Sequence, residues 1–258
     1  MTAICPDKLL ADAPKYFSTY LERTENLTRE PKGIRRSEMF FFYAAIAETA
    51  PSRIIESWRA RAQSTLVLAS LFPEANIISI EFDASSPDVA IAAERLKDRA
   101  NVECRFGDSR QLLPDLLRDG DVVLIDGPKD FRAVKLALRL LRTGKPLAVF
   151  VHDLWPGSPA RDFVDRHLPA AFLSDAPVWV ERYSELDYGA RATPPVSSHA
   201  RIAYGATLGC FPPMRGSYSV RLARCSLAQG IERLREVVRK IRKLPPRLRS
   251  EDFAAVSG

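Results

Sequence analysis

The run Ile54-Ile55-Glu56-Ser57-Trp58-Arg59-Ala60-Arg61-Ala62-Gln63-Ser64-Thr65 carries the topology of the whole chain. A β-branched stretch ends in an acid, a short turn follows, and a helix opens on Gln-Ser-Thr. In an open parallel sheet that succession marks the carboxyl end of a first strand, where nucleotide-type cofactors are held. The turn contains no glycine. Trp58, Arg59, Arg61 and two alanines stand where the backbone is expected to come close to a ligand.

Outward from this run, strand-like and helix-like segments alternate with short connections from about Ser52 to Ala171, the pattern of βαβ units. Strands are expected at Arg53–Ser57, Asn76–Phe82, Val102–Phe106, Asp121–Asp126 and Leu147–Val151. Helices are expected at about 63–72, then at Pro87–Arg99, Ser109–Leu117, Phe131–Leu141 and Ala160–Leu168. Asp121–Asp126 is apolar on both faces, as a central parallel strand must be. Two further strand candidates are Val178–Tyr183 and His199–Tyr204. The fold class is therefore α/β, a doubly wound, mainly parallel sheet.

Three regions are expected: an N-terminal helical cap over residues 1–50, the α/β domain over 51–220, and a basic helix with its tail over 221–258. Within the cap, Glu38–Ala50 reads as a helix whose Met39, Phe40, Phe42, Tyr43 and Ile46 cover the first strand. The segment 184–220 is rich in Pro, Gly and Ser and reads as a long irregular connection, either a binding loop or a disordered one.

Composition narrows the class. The chain has 258 residues, 46% hydrophobic and 27% charged, ordinary for a globular protein with room for a core. No apolar run nears the length of a membrane span, and the first residues lack a signal-peptide pattern, which points to a cytoplasmic protein. Cys5, Cys104, Cys210 and Cys225 are widely spaced, as reduced thiols are. The net charge is +6, but Arg221–Arg249 holds ten basic residues against two acids. That stretch carries +8 and leaves the rest at −2.

The strand ends carry the chemistry, because ligands of open α/β sheets bind outside the carboxyl ends. Four of them finish in polar or acidic groups: Glu56; Glu81 with Asp83; Asp126; and His152 with Asp153. One such acid is commonplace in a turn, whereas four in succession mark a site.

On these residues the chain resembles the class I S-adenosylmethionine-dependent methyltransferases, bacterial members with an E-S-G-x-x-x-G-Q-S-T motif and a later D-G-P-K. The resemblance rests on Glu56-Ser57 with Gln63-Ser64-Thr65, Ser79–Asp83, Gly107-Asp108-Ser109, Asp126-Gly127-Pro128-Lys129 and His152-Asp153. It implies S-adenosylmethionine as cofactor, with Glu56, Ser57, Trp58 and Ser64 along its amino-acid part. Glu81, with Asp83 as the alternative, would bind the ribose diol, and Asp108 the adenine amine. Asp108 also suits a helix N-cap. Asp126, His152 and Asp153 would face the transferable methyl group, with His152 as base, or would hold Mg2+ or another divalent ion that acidifies a hydroxyl. The acceptor would be a small hydroxylated molecule such as a sugar or envelope glycan. Lys129 would meet an anionic group of the substrate or remain solvated. Trp58 and Ala62 stand where the motif has glycine. Hence the turn is rebuilt around a bound cofactor, or binding is lost and a catalytically inactive scaffold remains, or the substitution is a peculiarity of this sequence.

Leu227, Ile231, Leu234, Val238 and Ile241 recur at spacings of 4, 3, 4 and 3, one stripe on a helix, with basic residues on the other faces. Either this helix packs on the domain, or residues 226–249 make peripheral contact with an anionic membrane, at the inner membrane surface. Nucleic acid fits less well, since the tail lacks interleaved aromatics. Oligomers remain open.

Overall fold

A computed structural model describes residues 4–27, 33–188 and 208–243. Seven strands form one sheet: β1 (Arg53–Ser57), β2 (Asn76–Glu81), β3 (Val102–Phe106), β4 (Val122–Ile125), β5 (Ala148–Val151), β6 (Phe172–Leu173) and β7 (Gly209–Phe211). Their spatial order is β3-β2-β1-β4-β5-β7-β6, with β1 to β5 parallel and β7 antiparallel to both neighbours. This is the doubly wound, Rossmann-like arrangement expected. The winding reverses between β1 and β4, which opens the crevice where such sheets bind ligands.

Helices α1 (Pro6–Thr24), α2 (Arg36–Ile46), α3 (Gln63–Leu71) and α4 (Asp88–Leu96) lie toward one face, and α5 (Ser109–Leu116), α6 (Asp130–Arg142) and α7 (Pro159–His167) toward the other. Strand alternation divides the core accordingly. Ile54, Ile77, Val122, Leu124 and Phe150 join the first side, and Ile55, Ile78, Val123, Ile125 and Val149 the second. After its polar first turn the helix α2 is apolar and buried on nearly every side: Phe40, Phe41 and Phe42 are at most 1% exposed. Phe42 meets Phe150 of β5 with ring centroids 4.3 Å apart, while Phe40 packs against Phe17 and Tyr20 of α1. The N-terminal segment thus forms one layer of the core, welded on by aromatic contacts.

Three expectations are corrected. Val178–Tyr183 is helical, inside α8 (Pro177–Tyr183), because Pro177 opens it and Trp179 and Tyr183 turn one helical face into the α1–α2 aromatic cluster. The segment 184–220 is not simply irregular: it contains α9 (Glu185–Tyr188), β7 and the start of α10 (Tyr218–Lys243). That last helix begins nine residues before Leu227, where its apolar stripe starts. His199–Tyr204 lies outside the described residues. Among those described, no helix is long and apolar enough to cross a membrane.

Truncating Phe42 to Ala should destabilise the fold by about 3–5 kcal/mol, the cost of emptying a fully buried aromatic site. Urea denaturation would read it, and a loss below 1 kcal/mol, roughly the level of a surface change, would show that α2 is not part of the core.

Candidate functional site

The β1 turn keeps the backbone of a glycine loop without glycines. Trp58, Ala60 and Ala62 all have positive φ, at 69°, 43° and 63°. Left-handed backbone costs an ordinary L residue about 1–2 kcal/mol, so surrounding bonds must hold it. The amides of Trp58 and Arg59 both donate to the carbonyl of Ile80, at 2.8 and 3.0 Å. The Ala60 amide donates to Glu81 Oε2 at 2.7 Å. Arg59 runs inward rather than into solvent: it is 3% exposed, donates to the Ser79 carbonyl at 2.8 Å and stacks on Phe106 at 4.9 Å. The neighbouring Arg61 is exposed and paired with Asp88. Of the two turn arginines, one is therefore structural, which the sequence pattern does not reveal.

Glu56 lies behind the turn, fully buried and away from the cleft surface. The hydroxyls of Thr65 and Ser79 donate to its Oε2, and its Oε1 has no hydrogen-bond partner. Burial is the main cause that pushes this carboxyl up to about 7, against the hydroxyls that favour its ionised form. Ser57 is equally buried and donates to the Gly127 carbonyl at 2.6 Å, which ties the β1 end to the β4 turn.

Two cavities open along the strand ends, and Trp58 lines both. One, of about 470 Å³, is bounded by Gly33, Ile34, Arg59, Gln63, Ser64 and Asp126. The other, of about 390 Å³, is bounded by Ile80, Glu81, Phe82, Asp83, Asp108 and Pro128. The indole sits against Gly127 so closely that a Cβ there would lie 1.6 Å from the ring. It is 47% exposed, with the Lys129 ammonium 5.9 Å from the ring centre. The side chain thus stays in the cleft, as a partition between two chambers.

In the smaller chamber Glu81 is already engaged. Its Oε2 accepts from Ala60, and its Oε1 from the amides of Phe82 and Asp83 at 2.8 and 3.3 Å. A carboxylate has about four acceptor positions, so capacity remains for a diol. Asp83 is at the rim and accepts from Ser85. Asp108 caps α5 by accepting from the Arg110 amide at 2.9 Å, and the Arg110 guanidinium beside it holds its carboxyl below the usual range.

The ends of β4 and β5 bring Asp126, His152 and Asp153 together, their ligand-type atoms within 4.8 Å of one another. Two further residues complete the cluster. The Lys129 ammonium bridges the aspartates, 2.5 Å from Asp126 Oδ1 and 2.7 Å from Asp153 Oδ2. Glu38 of α2, only 1% exposed, lies 3.3 Å from His152 Nε2, while His152 Nδ1 lies 2.7 Å from Asp126 Oδ1. Burial pulls the imidazole down, but Glu38 and Asp126 outweigh it and raise it to about 10. The ring is therefore an imidazolium at neutral pH, a donor to both carboxylates. A divalent ion needs neutral imidazole and free carboxylate oxygens. Here the Lys129 ammonium already takes up oxygens of both aspartates, so the donor set as arranged does not fit a metal. No sequence pattern signals Glu38, which is 114 residues from His152. Lys129, read from the sequence as a contact for an anionic substrate group or a solvated residue, instead pairs with two aspartates of the chain itself.

No protein-family model matches the chain, and no curated protein matches it. Solved structures similar to this chain include the O-methyltransferase TomG of Streptomyces achromogenes in complex with SAM, at 19% identity and TM-score 0.43, covering 82% of this chain and 92% of that one. They also include the SAH-bound methyltransferase PaMTH1 of Podospora anserina, at 17% identity and TM-score 0.41, covering 87% and 79%.

Both raised groups tilt stability the same way. Glu56 rises from 4.5 to about 7, so its contribution is full below 4.5 and lost as pH climbs through 7. His152 rises from 6.5 to about 10, so its contribution is full below 6.5 and lost as pH climbs through 10. Stability should fall from mildly acidic to alkaline pH, and Glu56→Gln should remove the lower part of that slope. Denaturation at pH 5 and pH 8 would show the variant gaining on the unaltered chain at the higher pH; equal slopes would refute the buried-acid account of Glu56.

Proposed function

We propose that this chain is an S-adenosylmethionine-dependent methyltransferase, acting on a hydroxyl of a small acceptor such as a sugar or an envelope glycan. The observation that carries the reading is the pair of chambers at the winding reversal, with acidic groups in the positions that the motif resemblance assigns. Ile80, Phe82 and Pro128 offer apolar surface for a base, with Glu81 and Asp108 beside it for the hydroxyls and amine of a nucleoside. Ser64 and Asp126 line the other chamber and suit an amino-acid moiety. When bound, the cofactor would supply an electrophilic methyl group.

Trp58 is the obstacle, since one ligand spanning both chambers requires the indole to leave Gly127. Its half-exposed state makes that displacement inexpensive, but the competent population is reduced, and apparent affinity falls with it. The acceptor side depends on charge. His152 already carries its proton and orients Asp126, and against the burial that raises it His152 and Lys129 hold the Asp126 carboxyl below its usual range, so Asp126 is the group that would take up an acceptor hydroxyl's hydrogen bond. A second reading, an inactive scaffold that retains the fold, is favoured by the same partition combined with the absence of an uncharged base among the five clustered groups.

Calorimetric titration with S-adenosylmethionine and S-adenosylhomocysteine separates the two. The enzyme reading predicts micromolar binding that Glu81→Ala abolishes and that Trp58→Gly tightens by about tenfold, roughly 1.4 kcal/mol. Trp58→Gly should fold at least as well as the unaltered chain, because glycine adopts positive φ freely. No heat with the unaltered chain, and binding in Trp58→Gly only, would favour the scaffold.

A further inference from the structure

We infer that α10 is an interfacial helix that docks this protein on anionic phospholipid bilayers. At 26 residues it is about 39 Å long, and its two sides differ. Leu222, Cys225 and Ala228 pack toward the core beside α6 and α7, and Cys225 is fully buried. At 100° per residue, Leu227 points about 160° away from Cys225. The stripe Val220, Leu227, Ile231, Leu234 and Val238 therefore faces outward, and these side chains are 39–66% exposed. A contiguous apolar stripe on the side away from the core needs an occupant.

Charge identifies it. The helix holds eight basic residues against two acids. By the same 100° geometry Arg224 and Arg235 flank the stripe on one edge, while on the other Val237, itself 51% exposed, widens it and Arg233 lies beyond. Glu232, paired with Arg235 and Arg239, and Glu236 fall on the opposite side of the helix from the stripe. An apolar stripe bordered by arginines, with its acids turned away, matches a bilayer surface: the side chains enter the acyl boundary and the guanidinium groups meet phosphates. A second copy of the chain fits poorly, since stripe-to-stripe pairing would set arginine edges against each other where paired helices place opposite charges.

The test uses the full chain and vesicles of two compositions, pure phosphatidylcholine and phosphatidylcholine mixed with phosphatidylglycerol. Co-sedimentation should occur with the anionic vesicles only and weaken with salt. The double variant Leu227→Asp, Leu234→Asp should lower it by about tenfold or more with an unchanged thermal melt, since both residues are exposed. Arg224→Glu with Arg235→Glu should do the same. Pelleting that ignores these substitutions, or that is equal on neutral vesicles, overturns the inference. So does no pelleting at all, or a dimer in light scattering that dissociates in the aspartate variant, which would assign the stripe to a second copy.

Discussion

The pairing of β1 with β2 on one side and β4 on the other is the constraint on which the remaining architecture depends. Five residues of β1 align with β2 and four with β4, and the junction is locked at its base by Arg53. Its guanidinium makes a buried two-point contact with Asp121, at 2.8 and 2.6 Å, and donates to the Leu116 carbonyl. A bidentate pair of this kind fixes angle as well as distance. It sets the starts of two strands side by side although 68 residues separate them. Because chain winding reverses at that junction, helices leave to opposite faces and a crevice is left at the other end.

What stands in the crevice follows from how the β1 turn is held. Glu81 and the Ile80 carbonyl draw the amides of residues 58–60 downward, and Arg59 fills the space beneath. The path of a glycine loop survives with ordinary side chains, but one of them, Trp58, must then project over Gly127. Any Cβ at 127 would collide with the indole, so the partition depends on the glycine of the Asp-Gly-Pro-Lys turn as much as on the tryptophan. The loop and the β4 turn are one unit, joined also by Ser57 and the Gly127 carbonyl.

The ionic cluster follows a similar logic at the neighbouring strand ends. Three acids, Glu38, Asp126 and Asp153, surround two cations, Lys129 and His152. In a partly buried setting carboxylates stay ionised only when cations neutralise them. The lysine of the β4 turn pairs with both aspartates, and the histidine with Glu38 and Asp126. One consequence is that α2 is tied to the sheet by charge at one end and by aromatic packing along its length, so the N-terminal layer and the candidate site are mechanically linked.

Much of this was legible beforehand. The β-branched runs ending in acids placed β1, β2, β4 and β5 within a residue or so, because a strand buried on both faces writes an unbroken apolar signal. The stripe at Leu227, Ile231, Leu234 and Val238 identified a helix, since spacings of 4 and 3 have no other economical explanation. The residue 177–183 segment misled because its β-branched and aromatic residues suit a strand, and only the aromatic cluster around Trp179 and Tyr183 makes it a helix. The short β6 and β7 gave no signal, being two and three residues long. By itself the sequence determined the element types, the strand-end location of the site and the charge of the last helix, since periodicity and composition are local properties. Tertiary structure alone decided that Arg59 is buried, that Glu38 pairs with His152, that Lys129 bridges two aspartates and that Trp58 divides the cleft. Each of these is an encounter between residues far apart in the chain, and distance in space is not written in spacing along it.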